Sequence, residues 1–218
     1  MRLCMVHISR IQEMIIMALE PGDAFWYWDG RISRTKNIPQ GEWFDTSAPQ
    51  DYGGHGWEIS NFVYYPEEIL QGQPQMRTGS GSYSWLNNNP GNITFGGADF
   101  GAYPGKLNWH NFLIFPSWDA GRDAICQLMR TPQYSGLSIL SAFQRYAPAS
   151  DGNDPVRYAN QVASELGTDV STIVGDLSDD DMTVLENAVT DLEGVVAGWS
   201  YTHDDTSMPQ AVFDLVHT

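Results

Sequence analysis

Basic residues are scarce in this sequence, which has 11 Lys and Arg against 27 Asp and Glu and a formal net charge of −16 at pH 7. A surface of this sign repels phosphate groups. The composition therefore argues against nucleic acid and anionic membrane surfaces as partners.

Long apolar runs are also missing. No stretch approaches the roughly 20 consecutive apolar residues of a membrane-spanning helix, so we predict no membrane insertion. The first nineteen residues are partly apolar, but Arg10, Gln12 and Glu13 interrupt them. Since an apolar segment followed by a small-residue cleavage site is not visible, an ordinary signal peptide is not predicted.

The sequence lacks the usual signatures of metal, nucleotide and cysteine chemistry. The histidines are His7, His55, His110, His203 and His217. They show no HExxH, HxxE or similar spacing, and no Gly-Lys-Ser/Thr phosphate loop is present. Cys4 and Cys126 are too few for a disulfide framework, and Cys126 falls inside a helical apolar pattern, where a thiolate is not stabilised. We therefore expect no metal site, no cofactor and an inert Cys126.

Aromatic residues, by contrast, are plentiful, with 8 Trp, 10 Tyr and 9 Phe. We expect most of these rings to fill the core. Rings that remain exposed would stack on the faces of sugars, and the many carboxylates would accept hydrogen bonds from sugar hydroxyls. The composition is thus compatible with a glycan-binding cleft.

The composition changes near residue 80. Before this point, one helix is predicted over residues 9–19 from the spacing of its apolar residues. The segment that follows is rich in Trp, Tyr, Gly and Pro, with short strands predicted around Phe25–Tyr27 and Phe62–Tyr65 and a brief helix at Pro66–Leu70. We assign residues 1–80 to an N-terminal helix and an aromatic, loop-rich extension packed on the core.

The second half is predicted to be mainly helical. Apolar residues recur with helical spacing over residues 117–130, 137–146 and 154–166, and again in a segment that begins at Ser178. Ser117, Asp154 before Pro155, and Ser178 with Asp181 are typical helix starts. We therefore predict a mainly α fold of the α+β class. Residues 81–202 would form the helical domain, and residues 203–218 a frayed tail.

An unusual run, Asn-Asn-Asn-Pro-Gly-Asn-Ile, occupies residues 87–93. Proline fixes φ, glycine permits positive φ, and asparagine amides bond nearby backbone in tight turns, so the run predicts a loop. A turn alone needs about two such residues. The additional amides indicate either a rigid loop bonded to itself or a set of donors and acceptors for acetamido sugars or peptide amides.

Short sequences that follow this loop complete an ordered pattern. They are Phe-Leu-Ile-Phe-Pro-Ser at residues 112–117, Ala-Gly-Arg-Asp-Ala at 120–124, Arg-Tyr-Ala-Pro at 145–148, Asn-Asp and Tyr-Ala within 153–159, and Leu-Glu-Gly at 192–194. With the Asn-rich loop, this order resembles the NNPGN modules of bacteriophage virion and lysis proteins and of cell-wall-degrading effectors delivered by type VI secretion. The resemblance covers residues from about 84 to 200 and is specific because the sequences recur in order.

The resemblance implies a lysozyme-like helical domain that binds or cuts peptidoglycan. We expect a peptidoglycan hydrolase of the lysozyme (muramidase) type, acting as an antibacterial effector or a phage lysis protein. It would reach the bacterial periplasm or cell wall without an ordinary signal peptide, and an immunity protein is an expected partner. Two other functions stay open: a non-catalytic wall-binding or virion structural module, and a peptidoglycan amidase or endopeptidase.

Cleavage of a glycan strand needs a general acid, commonly a Glu whose pKa is raised by a partly apolar pocket. Glu193 is the first candidate, because it lies at the margin of an apolar stripe near a helix end and corresponds to the Glu of the Glu-Gly sequence in the NNPGN modules. Glu58 is the rival candidate. For a second carboxylate the candidates are Asp99 and Asp154, although Asp154 is also placed to cap its helix.

The expected substrate-binding residues are Asn88, Asn89, Asn92, Tyr146, Asn153 and Asp154. The three asparagines of the loop would position the amide groups of the sugars. Tyr146 and Asn153 match the ordered pattern and would orient substrate or brace the Asn-rich loop.

Overall fold

The computed structural model describes residues 18–28, 31–33, 59–70, 73–78 and 81–218. The fold is mixed α+β and mainly helical, which confirms the predicted fold class. Apart from residues 18 and 19, the helix predicted over residues 9–19 lies outside the described residues, as does Glu58.

The described residues contain six α-helices and five β-strands. The helices are α1 (Tyr83–Leu86), α2 (Trp118–Arg130), α3 (Ile139–Tyr146), α4 (Pro155–Leu166), α5 (Asp179–Glu193) and α6 (Gln210–Val216). The strands are β1 (Ala24–Trp28), β2 (Arg31–Ser33), β3 (Ile59–Leu70), β4 (Gln73–Thr78) and β5 (Ser200–Thr202). None of these helices is both long enough and apolar enough to cross a membrane.

The predicted helix starts are confirmed by hydrogen bonds at the helix ends. The Ser117 hydroxyl accepts from the Ala120 amide at the start of α2, and Asp154 accepts from the Arg157 amide at the start of α4. At α5, Ser178 and Asp181 form the complete capping box, in which each side chain accepts from the other's backbone amide. Each cap satisfies amides that have no partner within the helix.

Helices α2 to α5 surround the larger apolar core. In this arrangement α4 packs between α3 and α5, and α2 packs on α5. The fully buried residues of this core include Ile125, Ile139, Phe143, Val162 and Leu185. Burying these side chains removes apolar surface from water, which favours the folded state.

The strands form one antiparallel sheet in the order β2-β1-β3-β4-β5. Phe25 on β1 and Phe62 on β3 are paired and stack with their ring centroids 5.1 Å apart. The helix predicted at Pro66–Leu70 is wrong, because these residues continue β3 beyond a register shift between Tyr65 and Ile69. An irregularity of this kind accommodates a proline that cannot donate to the sheet ladder.

The chain after Glu193 returns to the sheet and passes beside α1. The Ser84 hydroxyl donates to the Gly194 carbonyl at 2.9 Å, and the Ser82 amide donates to the Val196 carbonyl at 2.9 Å. The chain then reaches β5, which pairs with β4. These contacts join the end of α5 to the sheet.

The tail after β5 is helical, so the prediction of a frayed tail is wrong. Helix α6 buries Val212 and Leu215 in a second apolar cluster with Phe25 and Phe62 of the sheet. The two buried positions are three residues apart and therefore lie on one face of the helix. Packing against the sheet compensates for the short length of α6.

Candidate functional site

The Asn-rich loop follows α1 and is bonded largely to its own protein. Asn89 donates to the carbonyls of Ile93 and Leu113 at 2.9 and 3.0 Å, and its side-chain oxygen accepts from the Ile93 amide at 2.8 Å. The Asn87 side-chain oxygen accepts from Asn108 at 2.7 Å. These bonds close the loop as a rigid unit.

Asn88 lies between the loop and the sheet, with φ at 51°. Its side-chain oxygen accepts from Arg77 Nη1 at 2.6 Å, and its amide donates to Glu68 and to the Phe115 carbonyl. Arg77 Nη2 and Glu68 Oε2 form an ion pair at 2.6 Å. Asn88 therefore connects β3 and β4 to the loop.

Two of the predicted substrate-binding residues, Asn88 and Asn89, are buried inside the protein. Asn88 and Asn89 are both 0% exposed. In each side chain, the amide oxygen and the amide nitrogen both form hydrogen bonds within the protein. Neither side chain lines the cleft that lies beside Asn92 and Glu193. Their role is to hold the loop, and Asn92 is the loop asparagine that reaches the cleft.

Helix α2 approaches the loop closely at Gly121. A β-carbon at this position would lie 1.8 Å from the Asn88 carbonyl oxygen and 2.8 Å from Pro90 Cδ. On the other side of the loop, the Tyr146 hydroxyl donates to the Gly91 carbonyl. The loop is thus fixed by α2 and α3, and Tyr146 braces it as the sequence suggested.

Glu193, the last residue of α5, meets the loop at Asn92. The Asn92 amide donates to Glu193 Oε2 at 2.9 Å, and the Tyr158 hydroxyl of α4 donates to Glu193 Oε1 at 3.0 Å. Each carboxyl oxygen therefore has one protein donor. The structure brings together two residues that the sequence placed in the site, Asn92 and Glu193.

Burial decides the electrostatics of Glu193. Removal from water raises the pKa of its carboxyl, while the hydrogen bonds from Asn92 and Tyr158 lower it, and the net direction is upward. Burial and the Glu193 charge also raise the pKa of Tyr158. Tyr158 therefore stays a neutral phenol that donates to Glu193.

A cleft of about 1060 Å³ opens beside this carboxyl. Its wall includes Asn92, Tyr146, Asn153 and Glu193 from the predicted site, together with Asp151. Asn153 and Asp151 are exposed, whereas Glu193 is half-buried. The cleft therefore combines a desolvated carboxyl with a solvated one, which is an arrangement suited to acid–base chemistry.

The other predicted carboxylates do not line the cleft. Asp99 is exposed, and its side chain accepts from the Gly101 amide at 3.4 Å within its own turn. Asp154 caps α4, which confirms the capping role that its position before Pro155 indicated. Neither is among the cleft-lining residues, so the assignments of Asp99 to catalysis and of Asp154 to substrate binding are not supported.

Several residues at the site were not identified from the sequence. Tyr158 belongs to the ordered pattern, but its hydrogen bond to Glu193 depends on the packing of α4 on α5. Asp151 ends the 3₁₀ turn Ala149–Asp151, and no sequence signal marks it as functional. Tyr134 and His110 also line the cleft, and His110 has a positive φ of 60°. Non-glycine residues in that conformation are uncommon and concentrate at functional sites.

Cys126 lies in α2, within the helical apolar pattern from which the sequence predicted an inert thiol. Its thiol is half-buried and donates to the Met182 carbonyl and to Glu186, at 3.5 and 3.4 Å. Burial and the Glu186 carboxylate raise the pKa of the thiol to about 12. The thiolate required of a nucleophile is therefore disfavoured at neutral pH.

Replacing Tyr158 with Phe is expected to raise the pKa of Glu193 further. The Tyr158 hydroxyl stabilises the ionised carboxylate by a hydrogen bond, and phenylalanine cannot donate one. The titration of the Glu193 side-chain ¹³C signal by NMR measures this pKa directly. Tyr134→Phe, which removes a hydroxyl in the cleft that Glu193 lines, is the matched control and is expected to leave the pKa of Glu193 unchanged. A fall in the pKa of Glu193 on removal of the Tyr158 hydroxyl would contradict the described geometry.

Comparison with known proteins gives no independent assignment of this site. No protein-family model matches the chain, and no curated protein is detectably similar to it. The site is therefore defined by its own geometry, a half-buried Glu193 held by Asn92 and Tyr158 in the wall of a large cleft.

Proposed function

We propose that this chain is a peptidoglycan hydrolase of the lysozyme type, in which Glu193 protonates the glycosidic oxygen of the glycan strand. The observation that carries this proposal is the half-buried Glu193 carboxyl, whose pKa is raised by burial, in the wall of the cleft. A raised pKa keeps a larger fraction of the carboxyl protonated near neutral pH, as a general acid requires.

The contacts of Glu193 also fix its orientation. Asn92 and Tyr158 hold one oxygen each, and a carboxyl oxygen has a second lone-pair site that can carry the transferable proton. A carboxyl held in one orientation delivers its proton without a search among rotamers. The loop therefore acts through Asn92 on the acid as well as on the substrate.

The cleft wall supports a sugar polymer as substrate. Tyr134, Phe100 and Phe112 contribute aromatic groups, and Asn153 and Gln133 contribute amides. Aromatic faces and amides are the groups that acetamido sugars engage, and the resemblance of the Asn-rich loop to peptidoglycan-active modules supports that polymer specifically.

Asp151 is the better candidate for a second carboxylate. It lines the same cleft as Glu193, whereas Asp99 and Asp154 do not. It is exposed and accepts a hydrogen bond from Ser150 at 3.0 Å. A solvated carboxylate in the same cleft as a desolvated one can activate water or stabilise a developing sugar cation.

Digestion of purified sacculi tests the proposal, with mass spectrometry of the soluble fragments. New reducing sugar ends on fragments with intact stem peptides are the expected result. The anomeric form of the first product, followed by NMR, then tells retention from inversion. Free stem peptides with an intact glycan would instead show an amidase or endopeptidase.

Asp151→Asn is expected to lower the digestion rate by about 100-fold or more, because it removes the proposed second carboxylate and leaves the fold intact. The measurement is turbidity loss of sacculi at equal protein concentration. Asp99→Asn is the matched control, as it neutralises an exposed aspartate outside the cleft. Equal activity of the two variants would remove Asp151 from the mechanism.

A second function, a non-catalytic wall-binding or virion module, is favoured by one observation. Both oxygens of Glu193 accept hydrogen bonds from the protein, so the carboxylate also fastens α5 to α4 and to the loop. In that case Glu193 is a structural residue. Co-sedimentation with sacculi without any release of fragments would select this function.

A further inference from the structure

Three side chains of types that can ligate metals lie close together near the C-terminal end of the described residues. His203 and Asp204 follow β5, and His217 follows α6. Asp204 Oδ1 is 2.9 Å from His203 Nδ1 and 3.1 Å from His217 Nε2. One donor atom from each of the three residues lies within 4.8 Å of the other two.

The His217 ring is held in one orientation and one tautomer. Its Nδ1 is 2.8 Å from the Phe213 carbonyl oxygen, which can only accept, so Nδ1 carries a hydrogen. The ring also stacks on Phe213, with centroids 4.1 Å apart. In the neutral ring the lone pair is therefore on Nε2, which faces the Asp204 carboxylate.

Two groups that both accept hydrogen bonds repel each other at this distance unless a cation lies between them. We propose that His203, Asp204 and His217 bind a divalent transition metal of the class that prefers imidazole, represented by Zn²⁺. Tetrahedral Zn²⁺ with bonds of about 2.0–2.1 Å separates its ligand atoms by about 3.3 Å. The separations of 2.9 and 3.1 Å from Asp204 Oδ1 are slightly shorter than this value.

The backbone bond of His217 is typical of a metal-binding histidine. Such residues usually donate the other ring nitrogen to a carbonyl or carboxylate, which fixes the ring for coordination. His217 has this second partner in the Phe213 carbonyl. Solvent would complete the coordination, because the cluster is open to water on its exposed side.

The metal would connect α6 to the turn after β5. Helix α6 covers Phe25 and Phe62 with Val212 and Leu215, so fixing its end stabilises that apolar cluster. A ligand that binds only the folded state stabilises it by mass action. None of the three residues lines the cleft of Glu193, so this inference does not depend on the proposed function.

A proton is the alternative cation, and it has the opposite pH dependence. The Phe213 carbonyl and Asp204 raise the pKa of His217, with a further contribution from the Asp214 charge, and the two histidines lower the pKa of Asp204. Stability due to a protonated His217 is present below the ordinary His pKa and is lost as pH rises through the raised one. Metal affinity instead increases as pH rises, because the histidines must be neutral to coordinate.

The test is titration of the metal-free full chain with ZnCl₂ at about pH 7.5 and about pH 5.5, followed by calorimetry and thermal unfolding. The His7→Ala/His55→Ala double variant is the background, so that these two histidines contribute no ligands. One bound Zn²⁺ and a higher unfolding midpoint at the upper pH are expected. Absence of binding, or stabilisation confined to the lower pH, would overturn the proposal.

Variants locate the bound ion. In this background, His217→Ala, His203→Ala and Asp204→Asn are each expected to weaken Zn²⁺ binding at least tenfold, since losing even an outer-shell partner of a ligand costs about 10–100-fold. His110→Ala, in the cleft, is the matched control and is expected to bind normally. Circular dichroism verifies that each variant is folded. Undiminished binding by folded His217→Ala and Asp204→Asn would place the ion elsewhere and overturn the assignment.

Discussion

Glu193→Gln is expected to lower the rate of sacculus digestion by at least about 100-fold, because a positioned general acid contributes about 10²–10⁴ in rate. Glutamine is nearly isosteric and can still accept from Asn92 or Tyr158, but it has no proton to transfer at working pH. Release of reducing ends from sacculi, at equal concentrations of the two proteins, measures the effect.

Stability of the same variant separates a catalytic from a structural Glu193. Since the folded state raises the pKa of this carboxyl, its contribution to stability is present below the unfolded pKa and is lost as pH rises through the folded one. Removing the charge at neutral pH is therefore expected to leave the unfolding midpoint unchanged or higher.

The control for Glu193→Gln is Glu165→Gln, on the exposed face of α4, which is expected to keep full activity and stability. An unfolding midpoint well below that of the wild type, combined with unchanged binding to sacculi, would identify Glu193 as a structural fastening. Full activity of the Glu193→Gln protein would remove this residue from the mechanism.

Gly121→Ala is expected to destabilise the fold by about 1–3 kcal/mol or more, the usual cost of overpacking. At an open position in a helix the same change would stabilise by about 1 kcal/mol, since alanine is the better helix former. Here the new β-carbon would lie 1.8 Å from the Asn88 carbonyl oxygen, which is backbone and cannot turn aside. Steric overlap therefore outweighs helix propensity.

Chemical denaturation measures this change, and Gly136→Ala is the matched control because a β-carbon there meets nothing within 4 Å. Movement of the loop would also displace Asn92 from Glu193, so activity is expected to fall together with stability. A Gly121→Ala protein as stable as the wild type would show that α2 does not press on the loop as described.

Helices were the most predictable part of the fold, because their signals are local. The Ser117, Asp154 and Ser178 caps lie within three residues of the amides they bind, and all three were identified from sequence. The tail failed for a different reason. Helix α6 is short and is stabilised by packing on the sheet, and that partner is not visible in its own sequence.

The hydrogen-bond partners of the Asn-rich loop could not be predicted from the sequence of the loop itself. Its existence follows from proline, glycine and asparagine chemistry, but the partners of Asn88 and Asn89 include Arg77 and Leu113, which lie 11 and 24 residues away. Whether an amide faces solvent or protein depends on those distant groups. The sequence therefore predicted the loop and Asn92 at the site, but it did not predict that Asn88 and Asn89 are buried and bonded within the protein.

The two carboxyl groups of the cleft, Glu193 and Asp151, also differ in how far local sequence could predict them. Glu193 was identified because it ends an amphipathic helix and matches a known pattern. Asp151 was missed because only the folding of its turn places it in the wall of the cleft. The zinc site proposed for His203, Asp204 and His217 was not predicted, because the ligand spacings recognised in sequences are short, and α6 separates Asp204 from His217 along the chain.

The ion pair of Arg77 and Glu68 has a consequence for the modularity of the protein. These two residues precede residue 80, yet they supply two of the three partners of the Asn88 side chain, the third being the Phe115 carbonyl. A shortened chain that starts at residue 81 would leave that buried amide with unmet hydrogen-bonding capacity. If the helical half were joined to a different N-terminal segment, that segment would need a cation and a carboxylate in equivalent positions to bond the Asn88 side chain. The loop therefore depends on residues from both halves of the chain, and replacing either half alone would remove hydrogen-bond partners of Asn88.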